Sequence, residues 1–138
     1  MSIPELPSVK ELANGAPGDF EVIRRIAHSL NYLAEVMHSE AKAKGWWETD
    51  RAMPELLALM HSELSEALEH YREKGLAGCT LLEFDNNGKP IGIGSELADT
   101  IIRALDTCGR YGIPIGEILF VKYMYNRTRP RRHGDKHA

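Results

Sequence analysis

"MPELLALMHSELSEALEHYREKG", residues 53–75, decides the class of this chain. Its apolar residues Leu57, Met60, Leu64, Leu68 and Tyr71 recur at threes and fours, which is the period of one helix face. Pro54 is tolerated in a first helical turn, and Gly75 is a suitable stop. The segment is therefore expected to be an amphipathic helix. It also carries a second pattern, Glu63 and Glu66, three residues apart and beside the leucine series.

The same period recurs in three further segments. A first helix is expected from a cap at Asp19 through Phe20, Ile23, Ile26, Ala27, Leu30, Ala34 and Met37, ending near Gly45. A third is expected from a cap at Ser95 through Leu97, Ala98, Ile101, Ile102, Leu105 and Cys108, broken by Gly112 and Pro114. A fourth carries Ile115, Ile118, Leu119, Val121, Met124 and Tyr125 and stops near Pro130. No alternating run of useful length is present, so the expected class is all-α with four main helices. Residues 76–94 are rich in glycine and turn formers and read as a loop or a short hairpin. Residues 1–18 read as an irregular lead-in, 19–130 as one domain and 131–138 as a basic tail. Leu97, Ala98, Ile101, Ile102, Ala104 and Leu105 cover so much of the third helix that an oligomer is expected.

The chain has 138 residues, 43% hydrophobic and 27% charged, ordinary values for a single globular core. A net charge of -3 gives no general attraction to nucleic acid or membrane, although "RTRPRRHGDKH" concentrates positive charge at the C-terminal end. Cys79 and Cys108 are too few for a disulfide framework or a cysteine-rich zinc site. No secretory signal is visible and no apolar stretch approaches the ~20 residues of a membrane span. The expected location is cytoplasmic.

The acidic pair has an echo in "GSELADT", where Glu96 is followed three residues later by Asp99. Residues at that spacing are neighbours on one helix face, and like charges there repel. Solvated faces of amphipathic helices account for one such pair. Four carboxylates gathered beside a core cost far more unless a cation neutralises them, and a hard divalent ion takes oxygen ligands and bridges them to phosphates. In the fourth helix Lys122, Asn126 and Arg129 fall on one stripe, a donor set suited to a polyphosphate. Cations favoured at a helix C-terminus, or a basic nucleic-acid tail, are the competing explanations.

In these motifs the chain resembles the MazG-like, all-α nucleoside triphosphate pyrophosphohydrolases, whose E-x-x-E and E-x-x-D are matched by Glu63, Glu66, Glu96 and Asp99. "GWW", "ELADTIIRALDTCGRYGI" and "KYMYNRTRPRRHGDK" extend the likeness over residues 20–136. The resemblance implies a four-helix-bundle-like core of the all-α NTP pyrophosphatase type, assembled as a homodimer or homotetramer. It implies catalytic carboxylates binding Mg²⁺, with Mn²⁺ as a substitute. It also implies hydrolysis of (deoxy)nucleoside triphosphates between the α and β phosphates, as nucleotide-pool housekeeping.

Trp46 and Trp47 can stack on a base or anchor their connection to the core, and Asn31 and His38 can bond a base edge or serve structure. Glu35 and His38 form half of a di-iron carboxylate signature whose second half is missing. His61 and His70 lack a zinc arrangement, and no nucleophile setting surrounds Ser62, Ser65 or Cys108. A second functional class remains open, a non-enzymatic helical module that oligomerises and binds nucleic acid through its basic tail.

Overall fold

A computed structural model of the chain describes residues 20–78 and 82–130. It is mostly helical: α1 (Phe20–Ala43), α2 (Met53–Lys74), α3 (Ile93–Tyr111) and α4 (Ile115–Thr128). Between α2 and α3 lie a short 3₁₀ turn, Leu76–Gly78, and a hairpin of β1 (Glu83–Phe84) and β2 (Pro90–Ile91), paired antiparallel with Glu83 opposite Ile91. Within the 76–94 segment, residues 82–92 thus take the hairpin form, while 93 and 94 already belong to α3. Its turn is organised by Asp85, whose Oδ1 accepts the backbone N–H of Asn87 and of Lys89 at 2.8 and 2.9 Å, an Asx-type device. No helix among the described residues is long and apolar enough to cross a membrane.

The chain divides into two compact units, residues 34–111 and a second made of the flanking segments, with the division falling inside α1. In the 34–111 unit α2 and α3 make the most extensive pairing, and α1 approaches α3 at Gly109. A Cβ built there would lie 2.4 Å from the carbonyl oxygen of Ala34 and 2.6 Å from His38 Cβ. In the other unit α4 meets α1 in the same manner, a Cβ on Gly116 falling 2.1 Å from the Ala27 carbonyl oxygen. Asn31 secures that seam. Its Oδ1 accepts the Gly116 N–H at 2.8 Å and its Nδ2 donates to Glu117 at 2.6 Å, supplying an acceptor to a backbone donor that a helix start leaves over.

Among the described residues the buried apolar side chains are few: Ala34, Leu56, Ala67, Leu105 and Cys108 in the 34–111 unit, and Ala27 and Phe120 in the other. The face that α2 buries is Leu56, Glu63 and Ala67. The leucine series that the sequence marks as core lies outside instead, with Leu57, Leu64, Leu68 and Tyr71 all exposed. The helix has two stripes at helical period, and the smaller, acid-bearing one faces α3. The same holds in α3, where Glu96, Leu105, Thr107 and Cys108 are buried while Leu97, Ile101 and Ile102 are exposed.

Helix boundaries follow expectation with one correction. Ser95 does not cap α3. The helix begins two residues earlier, with Glu96 N–H already bonded to the Gly92 carbonyl, and Ser95 Oγ donates to Pro90. Gly92, at φ 106°, turns the hairpin directly into the helix. The expected cap Asp19 lies outside the described residues.

Candidate functional site

Turning α2 so that Leu56 and Ala67 face α3 also carries Glu63 inward, to 6% exposure. One turn from the start of α3, Glu96 is buried to 4%. Asp99, three residues on, projects to the same place. Glu63, Glu96 and Asp99 each bring a carboxylate oxygen within 4.8 Å of the other two. Glu66 is exposed, yet its charge is felt at Glu96.

Burial pushes the Glu96 carboxyl above its ordinary range, and the charges of Glu66 and Asp99 and a hydrogen bond with Glu63 push the same way, against His70, which lowers it. His70 compensates an anionic Glu96 only in part, and a proton or a cation supplies the rest. The donor set is all oxygen, from carboxylates on two helices, which is the chemistry a hard divalent ion such as Mg²⁺ or Mn²⁺ takes. The residues present fit such an ion.

Each buried carboxylate also has a protein partner. Arg103 Nε donates to Glu63 Oε1 at 2.6 Å, and His70 holds Nε2 3.3 Å from Glu96 Oε1. These partners lie 40 and 26 residues away along the chain. Arg103 follows Asp99 by one helical turn, and that spacing alone could have drawn notice to it.

The acids open onto a cleft of about 340 Å³ whose lining includes Glu63, Asp99, Arg103, Asp106, Lys44, Arg51 and Trp46. Lys44, Arg51 and Arg103 thus place positive charge in the cleft within the same unit, Arg103 in direct contact with Glu63. The sequence-predicted stripe is on α4. Lys122, Asn126 and Arg129 belong to the unit that contains α4, where Lys122 Nζ and the Arg129 guanidinium lie 5.3 and 5.9 Å from the Tyr125 ring centre. Asn126 supplies the carbonyl that accepts the Arg129 N–H.

The two tryptophans differ. Trp46 is 54% exposed, lines the cleft and has the Arg51 guanidinium 5.2 Å from its ring centre. Trp47 is turned inward. Its ring contacts His38 edge-on at 5.4 Å, and Arg110 lies over it at 5.1 Å. Asn31 has both ends of its amide engaged at the α1–α4 seam. No family model, no curated protein and no solved structure matches the chain.

Proposed function

We propose that this protein is a Mg²⁺-dependent nucleoside triphosphate pyrophosphohydrolase of the MazG-like kind, cutting between the α and β phosphates to release a monophosphate and pyrophosphate. The observation that carries the reading is the cleft itself. Glu63 and Asp99 line it together with Lys44, Arg51, Arg103 and an exposed indole, and buried Glu96 converges with those two acids. Carboxylates for a metal, cations for phosphates and an aromatic face for a base are the parts a nucleotide needs in one place.

Glu63, Glu96 and Asp99 would hold the ion, with Glu66 adding charge. Bound there, Mg²⁺ supplies charge neutralisation on the phosphates and a lowered pKa for the attacking water. Lys44 and Arg51 would bind the leaving pyrophosphate and offset the charge it gathers. One carboxylate of the set takes the proton of the attacking water as the bond from the α phosphorus to the bridging oxygen breaks. Trp46 offers its face to the base, a contact of about 1–3 kcal/mol. Lys122, Asn126 and Arg129 on α4 remain proposed phosphate ligands, and the protein is proposed to act as a homodimer or homotetramer. The role is housekeeping of the nucleotide pool in the cytoplasm.

The decisive experiment is a panel of ribo- and deoxyribonucleoside triphosphates with Mg²⁺, reading out pyrophosphate and orthophosphate separately. Pyrophosphate release that stops in EDTA supports the reading. No release from any triphosphate, together with salt-sensitive nucleic-acid binding that survives EDTA, overturns it in favour of the nucleic-acid module.

A further inference from the structure

Arg103 has a geometry that a simple strut does not require. It reaches Glu63 through Nε alone, at 2.6 Å. Its Nη1 and Nη2 groups have no hydrogen-bond partner among the described residues, and it pairs with no second carboxylate there. A guanidinium is at its strongest as a fork, giving two parallel N–H bonds to one carboxylate or phosphate. Here the fork is unused. The Arg103 side chain retains 32% exposure, whereas that of Glu63 has 8%, and both line the same cleft. The anion of the pair is buried, and the cation keeps a surface open to solvent.

The partner of Arg103 is also a member of the converging carboxylate set. Glu63 is buried, and a buried carboxylate without a compensating charge is strongly unfavourable. Arg103 meets that need as long as nothing else does. A divalent ion taken up by Glu63, Glu96 and Asp99 meets it too, and makes the guanidinium redundant.

We infer that Arg103 is the resident counter-ion of this site: it holds Glu63 while the site lacks a divalent cation, yields it when one is taken up, and then turns its open fork to a phosphate in the cleft. This rests on the metal reading above and adds a coupling to it. Metal uptake frees the anion-binding group, so divalent cation and phosphate each favour the other, and the coupling is reciprocal.

The test uses the full chain, with Mg²⁺ alone and inorganic pyrophosphate as probes. Calorimetry gives the Mg²⁺ Kd for wild type, Arg103→Gln and Arg103→Lys. Pyrophosphate affinity is then measured in EDTA and at free Mg²⁺ held above that Kd. The expected result is tighter Mg²⁺ binding in Arg103→Gln by about fivefold or more, with Arg103→Lys, which keeps the charge, returning toward wild type. The gain in pyrophosphate affinity on adding Mg²⁺ is expected to be smaller in Arg103→Gln than in wild type, because the ion's own contact with phosphate persists while the freed guanidinium is missing. In wild type, free of any folding concern, the Arg103 Nε–H resonance is expected to shift on Mg²⁺ addition. Mg²⁺ binding by wild type with an unmoved resonance, or with equal or weaker affinity in Arg103→Gln, overturns the proposal and leaves the metal site standing. No Mg²⁺ binding by wild type overturns both.

Discussion

Trp47 donates its indole N–H to Asp106, with Nε1 at 3.0 and 3.1 Å from the two carboxylate oxygens. His38 Nδ1 reaches the same carboxylate at 2.8 Å. One acid thus gathers residues from α1 and from the connection after it onto α3, and in the 34–111 unit Trp47 is an anchor.

Trp46 and Trp47 should therefore separate cleanly on substitution. Trp47→Phe keeps the ring but removes the bond to a charged acceptor, expected to cost about 1–2 kcal/mol, or roughly 4–8 °C in Tm for a chain of this size. Trp46→Ala should leave Tm nearly unchanged while raising KM for the preferred triphosphate more than it alters kcat, because stacking acts on ground and transition states alike. Thermal melts and steady-state kinetics on the two variants decide it. A Tm loss confined to Trp46→Ala would invert the assignment.

Asp99→Asn keeps the volume of the side chain and removes one negative charge from the converging set. Activity should fall by about two to four decades, the share of a metal's several kcal/mol of transition-state stabilisation. The fold should persist, with a melting temperature in EDTA equal to or above that of wild type, since repulsion is relieved. Pyrophosphate release and melts with and without Mg²⁺ measure both. Asp106→Asn is not a neutral comparison, because it weakens the partner of Trp47 and His38. It should lower Tm.

Glu96 gives the metal-free protein a particular pH dependence. Its carboxyl titrates above the ordinary 4.5, chiefly because of burial. Between that value and the raised one the folded state binds more protons than the unfolded, so stability falls as pH rises through the window. In EDTA the Tm of wild type should decline across this interval, and Glu96→Gln, which cannot ionise, should lose that component. Saturating Mg²⁺ should flatten the wild-type decline. Parallel pH profiles of Tm for the two proteins would test it, and identical slopes in EDTA would count against the assignment.

The exposed stripe of α2 makes a prediction about assembly. Leu57, Leu64, Leu68 and Tyr71 are between 44% and 49% exposed, a contiguous apolar row of the kind that marks an interface. Light scattering at micromolar concentration should give an oligomer for wild type and a smaller species for Leu64→Glu combined with Leu68→Glu. A monomeric wild type defeats the expectation.

That stripe also shows what the sequence could and could not convey. The existence and length of α2 were legible, because Leu57, Leu64 and Leu68 carry the helical period. Which stripe faced α3 was not: Leu56, Glu63 and Ala67 share that period, and large leucines outweigh a small residue and an acid in any apolar pattern. A buried face and an exposed apolar face carry the same period in a single chain. Glu63, Glu96 and Asp99 could be picked out because local spacing signals them. His70 and Asp106 could not, since each acquires its meaning from a residue on another helix or connection; of Arg103 only its place one turn after Asp99 was visible, not its bond to Glu63. Trp47 looked available for a base only because its acceptor lies 59 residues away.

The glycine seams set a limit on how this protein can change over generations. At Gly109 and Gly116 the nearest obstacle to an added Cβ is the backbone carbonyl of Ala34 or Ala27. Every inherited change at a glycine codon that yields another amino acid adds that atom. Because the opposing atom is main chain, no exchange of residue at position 34 or 27 can remove it, and relief requires a helix to move. Positions 109 and 116 are therefore expected to have no compensating substitution at their contact partners. In a pairwise mutational scan they should stand as losses that neighbouring changes do not restore, while Gly94, with nothing within 4 Å of an added Cβ, should vary freely.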